Sequence, residues 1–131
     1  MSDSHDARLW LNYAQENREV SAIVLETGFF NPCLQNVQQA VEKALKAVTV
    51  MQGLSPLRTH RIRELVDHLK QHGTDVPLKE DEYDLRDSIY VASKYPPESA
   101  LPDTMPDEAT CRLCLEMTDR VLSWANAQVS S

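Results

Sequence analysis

The chain has 131 residues, of which 42% are hydrophobic and 25% charged, and its formal net charge is -7. This composition is too apolar for a disordered chain and predicts a single folded domain over residues 1–131. The acidic balance opposes charge-driven binding along a long nucleic acid, so we expect any nucleic-acid contact to be local.

The glycines, the cysteines and the N-terminal residues narrow the class of protein further. None of the three glycines lies in a G-x-G run, which excludes a glycine-rich phosphate loop. Residues 1–10 are polar and acidic, and no run approaches the ~18 apolar residues of a membrane span. The three cysteines, an odd number, fit small packing residues in a reducing compartment. We therefore expect a cytoplasmic protein without membrane contact.

Helical periodicity recurs along the chain, whereas the strict alternation typical of strands does not. A first helix is predicted from an N-cap within residues 3–4 to about Glu26, with Gly28 as the stop. A second helix should begin near Pro32 and end at Gly53. Its predicted core face consists of Leu34, Val37, Val41, Ala44, Leu45, Val48 and Met51. The residues predicted to lie largely opposite are Gln35, Gln39, Glu42, Lys43 and Lys46.

Three further helices complete the predicted fold. Residues 55–59 supply the turn and N-cap of a third helix, which ends at Gly73 and buries Ile62, Leu65, Val66 and Leu69. A fourth helix should run from about Asp81 to Lys94, before the proline-rich loop 95–106, and bury Leu85, Ile89 and Ala92. The last begins near Pro106 and directs toward the core Ala109, Leu113, Met117, Val121 and Trp124. Five helices with short connections predict an all-α, antiparallel up-and-down bundle.

Cationic side chains are concentrated at the start of the predicted third helix. Residues 57–70 contain three arginines and two histidines. Arg61 and His68 are seven positions apart and would face the same way at the edge of the apolar stripe, about 10 Å apart along the axis. They could grip one phosphodiester only by reaching toward each other or across a dimer seam, whereas Arg63 points to another face. Arg61 could also pair with Glu64 as the ordinary rim of a packed helix, which is the more common arrangement.

Two spacings that are compatible with metal binding are better explained by packing. His68 and His72 are four positions apart, but neither an HExxH motif nor a third ligand accompanies them. Cys111 and Cys114 form a lone C-x-x-C within an amphipathic helix, which is typical of packing residues. We therefore expect no metal and no cofactor.

The predicted fourth helix carries an aromatic and cationic stripe. Tyr83, Arg86, Tyr90 and Lys94 recur at helical spacing on the side opposite its apolar residues. Such a stripe can stack a base and hold a phosphate, or it can pack against a protein partner. Packing against a partner is the more common of these two roles.

Four segments of the chain resemble the HEPN domain family, a group of small helical bundles. The segments are ARLWLNYAQENREVSAIVLE, LQNVQQAVEKALKAV with its Q-x-x-x-Q-A-x-E-K pattern, LRTHRIRELVDHL with its T-H start, and YVASKYP. The resemblance spans residues 7–128. It implies a bundle that forms a homodimer with a cleft at the seam, and a frequent pairing with a small nucleotidyltransferase in a two-gene system.

The resemblance also implies a function. Many family members are metal-independent endoribonucleases with an R-x(4-6)-H motif, in which Arg61 would clamp the scissile phosphate and His68 would move protons. The T-H and K-Y-P motifs resemble those of a branch for which nucleotide binding is proposed.

Our first hypothesis is therefore a component of a toxin-antitoxin-like system that binds nucleotide or RNA phosphate. Arg58 and His60 would act at the start of the third helix, where free backbone N–H groups favour an anion, together with Tyr90 and Lys94. The ribonuclease that uses Arg61 and His68 is the alternative. A non-catalytic adaptor that uses the stripe on the fourth helix for a protein partner is the second alternative.

Overall fold

The computed structural model describes residues 2–84, 86–87 and 107–130, and most of these residues are helical. The helices are α1 (Ser2–Glu26), α2 (Phe30–Met51), α3 (Ile62–Gln71) and α4 (Glu108–Ser130). Residues 80–84 and 86–87 are also helical, and no strand occurs in the part of the chain described. None of these described helices is long and apolar enough to cross a bilayer. The prediction of an all-α bundle is confirmed.

Contacts made by α1 define the directions of the long helices. Arg8 donates a hydrogen bond to the Asn126 side chain near the end of α4, whereas Arg18 pairs with Asp119 nearer the start of that helix. α1 and α4 are thus antiparallel. The short connection at residues 27–29 turns the chain back, so that α2 is also antiparallel to α1 and runs in the same direction as α4.

α2 is the central helix, because it packs against α1, α3 and α4. Its predicted apolar face is buried except for Met51, which is half-buried, and the small side chains of Ala40 and Ala47 extend the buried surface further around the helix. The sequence predicts Glu42 on the opposite, exposed side, and this prediction is wrong because only 2% of Glu42 is exposed. A helix that packs on several sides has little exposed surface, so periodicity alone misplaces its polar residues.

The ends of the first three helices agree with their glycine signals, but the start of α3 does not agree with its prediction. Gly28, Gly53 and Gly73 follow α1, α2 and α3. Gly73 has φ of 87°, a left-handed conformation that glycine adopts at little cost. α3 begins only at Ile62, and its N-cap residue Arg61 has extended backbone angles, φ -88° and ψ 121°. The cations of residues 57–61 therefore precede the helix.

The buried face of α4 differs in part from the predicted face. Met117 and Val121 are buried as predicted, but Ala109 and Leu113 are exposed. Residues spaced four apart drift around a helix of 3.6 residues per turn, so a face drawn through Ala109 and Leu113 leaves the core side. The residues that do line the core at this end of the helix are Cys111 and Cys114.

Arg86 is buried at the centre of the bundle, with only 2% of its surface exposed. Its guanidinium donates hydrogen bonds to the carbonyl oxygens of Val37, at 2.7 Å, and Cys114, at 2.9 Å. A third hydrogen bond of 3.0 Å reaches the Thr118 hydroxyl oxygen. Burial lowers the pKa of Arg86 from its ordinary value. One side chain therefore joins residues 80–87 to both α2 and α4.

The surface stripe is predicted on a helix at residues 81–94, which is not α4. This prediction is wrong at Arg86, because the Arg86 side chain enters the core instead of facing outward. Tyr83, at the start of the stripe, is half-buried. Tyr90 and Lys94 lie outside the described residues, as do the predicted end of the fourth helix and the proline-rich loop 95–106. The adaptor surface proposed for this stripe therefore loses one of its four side chains.

Replacing Arg86 with Ala should lower the free energy of unfolding by about 3 kcal/mol, because it leaves a cavity and removes contacts that join α2 to α4. Arg86→Met keeps most of the volume and should lose less. Urea denaturation followed by circular dichroism measures both changes. Arg112→Ala, which removes an exposed pair with Glu108, is the control and should change stability by less than about 0.5 kcal/mol. Similar losses in Arg86→Ala and Arg112→Ala would contradict a structural role for Arg86.

Candidate functional site

The segment between α2 and α3 carries most of the predicted site residues, and we call residues 57–61 the basic loop. Leu57 packs against the core, and the Gln38 side chain donates a hydrogen bond of 3.3 Å to the carbonyl oxygen of His60. The Thr59 hydroxyl oxygen accepts a hydrogen bond from the Arg61 N–H. These contacts hold the backbone of the basic loop on α2, while its side chains at positions 58, 60 and 61 are exposed.

A buried carboxylate lies beneath the basic loop. Both oxygens of Glu42 lie 3.3 Å from His60 Nδ1, and the His60 side chain is 61% exposed. Oε1 of Glu42 is enclosed and accepts no hydrogen bond from the residues that the structure describes. Burial raises the pKa of Glu42 above its ordinary value, and His60, Lys46 and Lys43 offset only part of this effect. The His60 ring therefore contacts the buried Glu42 carboxylate through Nδ1 and is otherwise largely exposed to solvent.

The eight arginines of the chain fall into two groups. Side-chain partners are present for six of them, which are Arg8, Arg18, Arg63, Arg86, Arg112 and Arg120. The guanidinium groups of Arg58 and Arg61 make no hydrogen bond or ion pair with any residue in the described part of the chain. Both are exposed and lie three positions apart on the basic loop. They form a local concentration of positive charge on an acidic protein.

The first two backbone N–H groups of α3 are already occupied. The Asp87 carboxylate accepts hydrogen bonds from the N–H groups of Ile62, at 2.7 Å, and Arg63, at 3.0 Å. The prediction that free N–H groups at this helix start would favour an external anion is therefore wrong at Ile62 and Arg63, because the chain supplies its own carboxylate there. These two N–H groups are therefore not available to a phosphate bound at the basic loop.

His68 is only partly accessible on α3. Its Nε2 is enclosed and has no hydrogen-bond partner among the described residues, and its ring packs edge-on against His72 with centroids 5.0 Å apart. The helical wheel that aligned Arg61 with His68 does not apply, because Arg61 precedes the helix and its backbone is extended. Arg61 is open to solvent while His68 Nε2 is not. In this fold a ligand in solvent can reach the Arg61 guanidinium but not the His68 Nε2 atom.

Arg63, which also lies at the R-x(4-6)-H spacing from His68, binds acidic side chains of its own chain. It binds Asp84 through two hydrogen bonds of 2.9 and 3.0 Å, and Glu80 through one of 2.9 Å. These acidic partners raise the pKa of Arg63. Its guanidinium also lies 5.4 Å from the ring centroid of Tyr83. Arg63 therefore ties α3 to residues 80–84, and its charge is neutralised.

The cysteines lie in the core, as predicted for packing residues. Cys33, Cys111 and Cys114 are buried and form no disulfide with one another. Burial raises the pKa of Cys111 to about 12, so this thiol is protonated and unreactive at neutral pH. Within residues 2–84, 86–87 and 107–130, no group of three His, Cys, Asp or Glu side chains is placed to hold a metal ion.

Three residues that shape the site were not identified as such from the sequence, and these are Gln38, Glu42 and Asp87. The alanines at positions 40, 44 and 47 are the available signal for the first two, because small side chains let helices pack closely around α2. Asp87 offers no comparable local signal, because the N–H groups that it binds are 24 and 25 residues away.

The stability of the protein should depend on pH through Glu42. Its pKa is raised on folding, so the folded chain binds more protons than the unfolded chain between pH 4.5 and the raised value. This contribution is complete below pH 4.5 and is lost as the pH rises through the folded pKa. Glu42→Gln removes the titration and should therefore gain stability relative to wild type as the pH rises, measured by urea denaturation from about pH 4 to 8. A difference between the two proteins that stays constant with pH would contradict this assignment.

The sequence is similar to that of known HEPN proteins. A family model described as HEPN domain matches residues 7–128. A stretch of 48 residues is 38% identical to "Putative toxin MJ1304" from Methanocaldococcus jannaschii. That stretch covers 37% of this chain and 32% of the relative, so the chain spans about a third of the curated protein that it matches.

The fold is similar to those of two solved structures. The TM-score is 0.77 with TT1696 from Thermus thermophilus, at 24% identity, over 93% of this chain and 97% of that chain. It is 0.71 with ST0689, described as an archaeal HEPN homologue, at 23% identity, over 94% of this chain and 97% of that chain. At these identities the likeness shows the fold alone. The family match over residues 7–128, together with this shared fold, shows that the chain belongs to the HEPN domain family.

Proposed function

We propose that this HEPN protein is the toxin-like component of a two-gene system and binds the phosphates of a nucleotide or RNA at the basic loop. The observation that carries the proposal is the exposed pair Arg58 and Arg61, whose guanidinium groups have no partner in the described part of the chain. Guanidinium groups bind phosphate oxygens through paired N–H donors. In a chain with 20 acidic residues, two neighbouring arginines without a carboxylate favour an anionic ligand.

His60 extends this cationic surface. Its exposed ring lies between Arg58 and Arg61 in the chain, and the buried Glu42 carboxylate faces its Nδ1. A carboxylate in that position orients the imidazole, which suits contact with a phosphate. We propose Tyr90 and Lys94 as further contacts on the basis of the sequence, since they lie outside the described residues.

The wider role rests on similarity. The related archaeal protein is called a putative toxin, which supports a toxin-like role for this chain. We propose a nucleotidyltransferase as the partner and a homodimer as the assembly, as the family resemblance implies. A dimer seam could bring Arg61 of one chain near His68 of another, which a single chain does not achieve.

A metal-independent endoribonuclease is the second candidate function, and the exposed guanidinium of Arg61 is the observation that favours it. The reaction needs His68 to exchange protons beside the phosphate that Arg61 holds. Because His68 Nε2 is enclosed, cleavage through this atom would require the ring or its surroundings to move. Binding without cleavage needs no such movement and is therefore the function that we propose first.

Arg58→Ala and Arg61→Ala should each weaken binding of a fluorescein-labelled single-stranded RNA by about tenfold, because each removes a charge-assisted contact of about 1.4 kcal/mol. Each substitution should also reduce the slope of log affinity against log salt concentration by about one, which corresponds to the loss of one phosphate contact. Fluorescence anisotropy over a salt series measures both effects. Arg120→Ala, whose guanidinium is paired with Glu82, is the matched control and should bind like wild type. An equal loss in all three variants, or no loss in any, would exclude the basic loop as the phosphate site.

Labelled total RNA should remain intact when it is incubated with either wild type or His68→Ala in EDTA, which silences metal-dependent nucleases. Electrophoresis of the RNA gives the result, and circular dichroism checks that the variant is folded. Cleavage by wild type that disappears in His68→Ala would replace the first proposal with the second, because only the ribonuclease mechanism requires a titrating group at that position.

A further inference from the structure

The outer face of α1 carries a row of exposed apolar side chains. Leu9, Tyr13, Val20 and Ile23 are 41%, 54%, 42% and 65% exposed. With Glu16 between them, the successive spacings are 4, 3, 4 and 3 residues, the heptad pattern that lines one side of a helix. We call these five residues the α1 stripe.

The α1 stripe lies opposite the side of α1 that packs in the bundle. At 100° per residue the stripe occupies an arc of about 80°. The buried residues of α1, among them Ala7, Leu11 and Ala14, centre about 160° away. The stripe therefore contributes little to the core of its own chain. Contiguous exposed apolar side chains of this kind mark sites of protein interaction.

A pocket adjoins the stripe near the start of α1. Its volume is about 360 Å³, and its lining consists of Asp6, Leu9, Trp10, Tyr13, Val50 and Pro56. The ammonium groups of Lys46 and Lys43 lie 5.7 and 5.8 Å from the ring centroids of Trp10 and Tyr13. A pocket of this size can take one large apolar side chain, the usual anchor of a protein interface.

The charges on this face select the kind of partner. Asp6 and Glu16 are exposed, and neither forms a hydrogen bond or ion pair with a described residue. Lys43, the cation beside the middle of the stripe, is engaged by Asn17 Oδ1 at 2.7 Å. Two copies of the stripe paired about its centre would bring Glu16 against Glu16, which like charges oppose. A helix with a cation at that position would be attracted instead.

We propose that the α1 stripe binds one amphipathic helix of another protein. The apolar residues of the partner helix, at heptad spacing, would face the four apolar side chains of the stripe. A Lys or Arg of the partner helix would face Glu16, and one of its large apolar side chains would fill the pocket. The proposal is independent of phosphate binding, because the stripe and the pocket lining contain no residue of the basic loop at positions 57–61.

Two fluorescein-labelled helical peptides test the proposal. Both carry leucines at the heptad positions and one tryptophan anchor, and they differ only at the central position, which is Lys in one peptide and Glu in the other. Wild type should bind the Lys peptide about tenfold more tightly, because attraction to Glu16 replaces repulsion. Glu16→Lys should reverse this preference. Equal affinity of wild type for both peptides would overturn the proposal.

Substitutions in the stripe provide the second arm. Val20→Glu and Ile23→Glu should abolish binding of both peptides while leaving thermal unfolding unchanged, because both side chains are exposed. Leu113→Glu, at an exposed leucine of α4, is the matched control and should bind like wild type. Peptide binding that survives both stripe substitutions would overturn the proposal. So would a wild-type dimer, seen by sedimentation velocity, that dissociates in Ile23→Glu, because a second copy would then cover the stripe.

Discussion

Two neighbouring residues of opposite charge, Arg86 and Asp87, connect the helices on which the candidate site is built. Arg86 enters the core and donates to acceptors on α2 and α4, while Asp87 accepts from the first N–H groups of α3. A buried guanidinium without its acceptors would cost several kcal/mol, so the packing of residues 86–87 against α2 and α4 is closely constrained. The end of the basic loop, which leads into α3, depends on Asp87.

This constraint determines how the protein can recognise an anion. Because Asp87 occupies the start of α3, the helix dipole and its N–H groups are directed at the chain's own carboxylate. The phosphate binding that we propose at the basic loop then relies on the guanidinium groups of Arg58 and Arg61, with His60 held against the buried Glu42. Side chains of this kind bind the backbone of a nucleic acid without reading its bases, which suits a local and sequence-tolerant contact.

The central position of α2 explains why two different surfaces coexist on so small a chain. α2 is buried along most of its length, which leaves the outer side of α1 and the basic loop as separate exposed faces. One face is cationic and suits phosphate, whereas the α1 stripe is apolar apart from Glu16, whose carboxylate has no partner in the described part of the chain, and suits a helix of another protein. In the function that we propose, the phosphate ligand and the protein partner would each have its own surface.

The sequence by itself determined the helical class, the glycines that end three helices, the packing role of the cysteines and the concentration of cations at residues 57–61. Each of these depends on residue type and on spacing over a few positions, so it is visible without the fold. Only the tertiary structure decided which of the cations are available. Arg63 and Arg86 bind groups that lie at least seventeen residues away in the chain. The guanidinium groups of Arg58 and Arg61 have no such partner among the described residues. Burial of Glu42 was likewise decided by packing, because the other helices enclose α2 on sides that its own periodicity assigns to solvent.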